Sequence, residues 1–166
     1  MKIIRGRVIK YPDSVDTDAI IPARYLNITD SRELAKHVFE DYDPKFRLKV
    51  KTHPIIVAGG NFGCGSSREH AVIALKTAGV KAIVAESYAR IFFRNSINLG
   101  LPALQVSGVS SKVSDGDEIS IDLENWKLKN HNSGITLEIK PLPSIIMGIL
   151  ESGGLENYLK ERKGKW

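Results

Sequence analysis

Residues 53–86 read HPIIVAGGNFGCGSSREHAVIALKTAGVKAIVAE, and the order of patterns within them sets the fold class. The apolar run in HPIIVAGG, stopped by two glycines, predicts a buried strand. Ala71, Val72, Ile73, Leu75 and Ala78 recur with a helical period, and Gly79 stands where a helix ends on a left-handed residue. KAIVAE, at 81–86, predicts the next strand. Strand, helix and strand within about thirty residues make a βαβ unit, with parallel strands and a right-handed crossover. The loop NFGCGSS then falls at the carboxyl end of a parallel strand, where open sheets place their ligands.

On the amino-terminal side, IIRGRVIK (3–10) predicts a strand, and YPDSVDTDAIIPARYLNIT (11–29) follows without strong periodicity, long for an idle connection. Asp30 or Ser31 can cap a helix reaching about Glu40, with Leu34, Val38 and Phe39 on its inner face. On the carboxyl side, SYARIFFRNSIN (87–98) predicts a helix and PALQV a strand. EISIDL, WKLK and ITLEIK predict an antiparallel set with a turn at HNSG, and two closing helices follow in IIMGILES and GLENYLKERK. No internal repeat appears.

The 166 residues, 42% of them hydrophobic, suit one well-buried core, so the chain is read as a single domain, 1–166. No apolar run approaches the roughly 18 residues needed to span a bilayer, and the amino terminus builds no signal peptide. A soluble, cytoplasmic protein without membrane association is expected. The net charge of +5 is spread along the chain except for the terminal KERKGKW, which is read as a solvated tail rather than a nucleic-acid arm. Cys64 is the only cysteine, so this chain forms no internal disulfide and cannot itself supply the thiolates of an iron–sulfur cluster or a zinc site.

Several chemistries compete for the glycine loop. Gly63 and Gly65 match the first two positions of G-x-G-x-x-G, and Glu86 falls near the place of a ribose-binding carboxylate. The third position, however, holds Arg68, a bulky cation where a dinucleotide fold needs close packing, and no Walker lysine follows. Cys64 with His70 as base is a second candidate, although a small residue between glycines explains Cys64 equally well. The third is an anion site that carries a base. Ser66 and Ser67 can cap the helix, its free N–H groups attract a carboxylate, and Arg68 adds a two-pronged donor. A serine whose alkoxide is stabilised there can accept a proton. A purely structural alternative has Ser66 as a cap and Arg68 paired with Glu69 or another surface carboxylate. Against it stand Asp16, Asp18, Arg24 and Asn27, gathered in one irregular segment with more polar equipment than a connector needs.

NFGCGSSREHA, together with DTDAIIPARYLN, SYARIFFRN and the closing GGLENYL, resembles the small subunits of the 3-isopropylmalate dehydratase and homoaconitase group, the split form of the aconitase swivelling domain. The likeness runs over essentially the whole chain. It implies an α/β fold, a three-layer β/β/α swivelling domain with a mixed parallel and antiparallel sheet. It also implies a partner, a large subunit carrying a four-iron, four-sulfur (4Fe–4S) cluster, with no cofactor or metal in this chain.

The implied reaction moves a hydroxyl between adjacent carbons of a hydroxy diacid through an alkene. By the same resemblance Ser66 matches the base, Ser67 and Arg68 match carboxylate-binding residues, and Asp18 matches an acidic residue that organises the site. Arg90 falls in the family's SFARI-like motif, with Tyr88 where the family has phenylalanine, and is either a substrate-binding residue or a structural clamp. Asn27 stands in the loop where aconitase uses arginine for a third carboxylate, so an isopropyl group in that place is favoured over a carboxylate. A homoaconitase-type diacid, or a non-catalytic carboxylate-binding module, is the alternative.

Overall fold

A computed structural model describes residues 3–65 and 68–164. In chain order its elements are β1 (Ile3–Lys10), α1 (Thr17–Ile20), a 3₁₀ turn (Ala23–Tyr25), α2 (Ser31–Ala35), α3 (Phe46–Lys49), β2 (Ile55–Ala58), α4 (His70–Ala78), β3 (Ala82–Ala85), α5 (Arg90–Asn98) and β4 (Ala103–Gln105). Then come α6 (Val109–Lys112), β5 (Glu118–Asp122), β6 (Lys127–Asn130), β7 (Thr136–Glu138), α7 (Ser144–Glu151) and α8 (Leu155–Glu161).

The strands form one seven-stranded sheet in the order β4-β3-β2-β1-β5-β6-β7. β1 is the seam, parallel to β2 on one side and antiparallel to β5 on the other. Every residue of β2 and β3 is buried, as expected of parallel strands covered on both faces. Their alternation sorts side chains into two cores. Ile9, Ile56, Ala58, Ile83 and Ala85 pack against α2 and α4 through Leu34, Val72 and Leu75. Val8, Ile55, Val57, Ala82 and Val84 point the other way and share a cluster with Ile119, Ile121 and Leu128 of the antiparallel strands. The sheet therefore curls over itself, giving antiparallel strands, parallel strands and helices as the three expected layers. The outward face of the antiparallel half is polar and carries the cross-strand pairs Arg5–Glu118 (2.5 Å) and Lys127–Glu138 (2.7 Å).

Local signals mostly act where they stand. Gly79 ends α4 with φ +113°, and Gly134 turns the HNSG hairpin with φ +78°. Three expectations are corrected. The helix expected to reach Glu40 ends at Ala35, because Phe39 takes φ +56° and gives its N–H to the Ile20 carbonyl (2.8 Å). That turn buries the Phe39 ring 4.5 Å from Tyr11 and 5.0 Å from Phe46, a packing gain that outweighs helical continuation. α5 begins at Arg90 rather than Ser87, since Ser87 and Ala89 bond to Phe62 in extended form (3.1 and 2.9 Å). The helix after the glycine loop begins at His70 with Glu69 in the cap position, not at the two serines. Ser66 and Ser67 lie outside the described residues.

Candidate functional site

Three loops leave the carboxyl ends of β1, β2 and β3 and run on side by side. Ser14 N–H donates to the Gly60 carbonyl (2.8 Å), Gly63 N–H to Val15 (2.8 Å), and Thr17 N–H to Cys64 (2.8 Å). Asp16 and Cys64 form a parallel bridge, as do Phe62 and Tyr88. The order of the sheet is thus carried beyond its strands, and the polar segment 11–29 is held against the glycine loop. Side chains reinforce this. Asp13 accepts from the Gly60 N–H (2.7 Å) and the Ser87 hydroxyl from the Asn61 N–H (2.8 Å).

Gly63 is obligatory here. Its φ is +81°, and a Cβ on it would lie 2.1 Å from the Phe92 ring. We expect Gly63→Ala to cost on the order of 3 kcal/mol, from the left-handed backbone and overpacking together. In a chain of this size that lowers Tm by about 6–12 °C, which a thermal melt would read. A melt unchanged within about 2 °C would show that the loop is not held by this contact.

The loops enclose a cleft of about 150 Å³ whose walls include Asp16, Thr17, Asp18, Leu26, Gly65, Arg68 and His70. Asp16 caps α1, accepting from Ala19 N–H (2.7 Å), and Asp18 accepts from Ala23 N–H (2.8 Å). One oxygen of each carboxylate thus shapes the loop. Arg68 is exposed and, among the described residues, forms no ion pair, so the alternative of a surface pair with Glu69 is not formed. Its guanidinium is available to an anion. Gly65 and Arg68, the described residues flanking the two serines in sequence, both line this cleft. Ile21, Ala23, Leu26 and Ala71 supply an apolar wall.

The other candidates are divided. Asn27 is exposed and follows Leu26 just outside the lining. Arg24 is withdrawn by paired contacts to Asp41 (2.8 Å) and one to Glu40 (2.9 Å). Glu40 also accepts from the Tyr25 hydroxyl, and Tyr25 stacks on His37 at 3.8 Å. Hydrogen bonds from Tyr25, then His37, hold the Glu40 carboxyl below its ordinary range. This anchor of the loop is therefore intact above the ordinary carboxyl pKa and fades as pH falls through the lowered one. Arg90 does not line the cleft; it stands at a separate cavity one strand further along.

Glu86, the position of a possible ribose carboxylate, is occupied otherwise, taking N–H bonds from Gly108 and Ser110 (2.8 Å each) at the start of α6. Cys64 does not line the cleft that His70 lines, so the thiol pair is not assembled there. Among the described residues no three His, Cys, Asp or Glu side chains converge as a metal site. Sequence reasoning considered His70 only as a base for Cys64, and passed over Leu26 as a cleft residue and Asp13 and Ser87 as loop anchors. The pair Gly59–Gly60 was the available signal for Asp13, since a Cβ on Gly59 would fall 1.8 Å from its carboxylate.

Comparison with known proteins places this geometry among relatives. The family model described as the aconitase C-terminal domain matches residues 27–108. The 3-isopropylmalate dehydratase small subunit of Thermodesulfovibrio yellowstonii is 51% identical over 159 residues, covering 96% of this chain and 95% of its own. The isopropylmalate/citramalate isomerase small subunit of Methanocaldococcus jannaschii is 54% identical over 160 residues, covering 96% and 95%. A crystal structure of 3-isopropylmalate dehydratase from Methanocaldococcus jannaschii agrees with a TM-score of 0.91 at 49% identity, covering 97% of this chain and 95% of that one.

Proposed function

We infer, since the chain belongs to the family of 3-isopropylmalate dehydratase small subunits, that it is the smaller half of a hydro-lyase interconverting 2-isopropylmalate and 3-isopropylmalate in leucine biosynthesis. The observation that carries this reading is identity near one half over almost the full length of the relatives, with the motif residues Asp18, Gly65 and Arg68 gathered at one cleft. The partner is a large subunit, and the place of work is the cytoplasm.

The reaction removes a proton from the carbon alpha to a carboxylate and the hydroxyl from its neighbour, giving an alkene and water; water then returns in the opposite sense. Ser66 takes and returns the carbon-bound proton. Arg68 grips a carboxylate with two N–H groups, and Ser67 donates to the same carboxylate, so the charge that builds up as the proton leaves is met by fixed donors. Asp18 is a positioning residue, holding the loop through Ala23. A four-iron, four-sulfur cluster does not fit this chain, whose one cysteine is Cys64. Placed on the large subunit, such a cluster would supply Lewis-acid chemistry for the hydroxyl.

The apolar wall of Ile21, Leu26 and Ala71, with neutral Asn27 beside it, suits an alkyl substituent better than a third carboxylate. Asn27→Arg is therefore expected to move the ratio of kcat/KM from isopropylmalate towards homoaconitate by about tenfold or more, since a guanidinium is left unpaired by one substrate and paired by the other. A ratio unchanged within about threefold would remove Asn27 from the specificity argument. The citramalate in the name of the archaeal relative favours a second reading, in which a smaller alkyl diacid is also accepted.

Anaerobic reconstitution with the large subunit, testing isopropylmalate, citramalate, homocitrate and citrate side by side, is the direct test. Turnover of isopropylmalate should need both chains. Turnover by this chain alone, or a complex that prefers a tricarboxylate, would overturn the assignment.

A further inference from the structure

One strand along from the cleft, a cavity of about 610 Å³ opens between α5 and the segment leading into α7. Arg90, Arg94 and Lys140 stand around it, and among the described residues no carboxylate lines it. Among the described residues none of the three takes part in an ion pair. Arg90 and Arg94 are one helical turn apart, the spacing at which like charges repel. The floor is apolar, formed by Tyr88, Phe93, Leu142 and Ile146. Ile91 and Ile145, each next in sequence to a lining residue, are 47% and 58% exposed.

Arginine, aromatic and aliphatic surface together is the composition of a protein interface. The apolar floor of Tyr88, Phe93, Leu142 and Ile146 offers more surface than a small anion covers. Ser87 and Tyr88 line this cavity, and Tyr88 is bridged to Phe62 of the glycine loop. Cavity and cleft therefore open at the same end of the parallel sheet, and a chain that covers one meets the other.

We propose that this basic, apolar-floored cavity receives an acidic, partly apolar segment of the large subunit and holds that subunit over the cleft. The proposal rests on the reading of the chain as one half of a two-subunit enzyme. Charge complementarity selects the segment: three uncompensated cations are neutralised on docking, which speeds encounter and makes association sensitive to salt. Arg90 belongs to this docking surface.

The test is association of the large subunit with wild type, Arg94→Glu, Lys140→Glu and Ile145→Ser, at low and high salt, with kcat measured at saturating small subunit. Each charge reversal should weaken affinity by about tenfold, mainly through the on-rate, and flatten its salt dependence. Ile145→Ser should weaken it without changing the salt dependence. At saturation kcat should stay within about twofold, because none of these residues lines the cleft. Arg94→Gln, with its melting temperature, guards against misfolding of the reversed variants. Affinities of both reversals within twofold of wild type would overturn the proposal. So would an Arg94-dependent rise in melting temperature with citrate alongside unchanged affinity, which would assign the cavity to small anions. If wild type restores turnover and the reversals bind normally, only the docking surface falls; if wild type never binds the large subunit, the two-subunit reading falls with it.

Discussion

Replacing Ser66 with alanine is expected to lower kcat of the reconstituted complex by about 10² to 10⁴, the range lost with a general base. Melting temperature and subunit affinity should stay close to wild type. The competing view, in which this serine only caps the following helix, predicts the reverse: a stability loss on the order of 1 kcal/mol with catalysis preserved in the folded complex. The position of the helix start weighs against that view, since α4 begins at His70 with Glu69 as its cap residue. Measuring Tm and kcat on the same preparation separates the two. A variant that keeps more than half of wild-type kcat would return Ser66 to a structural role.

Arg68→Lys should be nearly as damaging, lowering kcat/KM by about 10² to 10³ although the charge is kept. A lysine offers a compact point charge, whereas a carboxylate is matched by two parallel N–H groups held in one plane. Arg68 lines the cleft and has no carboxylate partner among the described residues, so none of their carboxylates competes for its guanidinium. Were Arg68 a surface ion-pair residue, the swap would change stability by less than about 1 kcal/mol and leave turnover alone. Steady-state kinetics in the saturated complex decide this. The loss should fall on kcat as well as KM, because the charge that Arg68 meets grows as the proton leaves.

The glycine loop and its surroundings were readable in outline because their signals are local. IIVA and AIVA are apolar at every position, so they were strands buried on both faces, and the helical period between them with Gly79 at its end completed a βαβ unit. Alternation in EISID and KLKN marked the antiparallel half. From that order alone the loop had to lie at the carboxyl end of a parallel strand. Its content of serines, arginine and glycines was likewise on the page.

Other features were settled by contacts between residues far apart in the chain. The helical pattern through Leu34, Val38 and Phe39 was sound as a pattern. It lost to the burial of one ring against Tyr11 and Phe46. Arg24 and Arg68 are the same residue type in neighbouring loops, but Glu40 and Asp41 claim the first and, among the described residues, no carboxylate pairs with the second. Arg90 shares a motif with the cleft but stands at a different cavity, because Ser87 to Ala89 continue the strand edge before α5 begins. The sequence by itself thus determined which segments become strands and helices, and which loop carries the chemistry, since propensity and periodicity act over a few residues. Only the tertiary structure decided which charged side chains face the cleft, because ion pairs and ring packing are made across the fold by partners that no local pattern brings together.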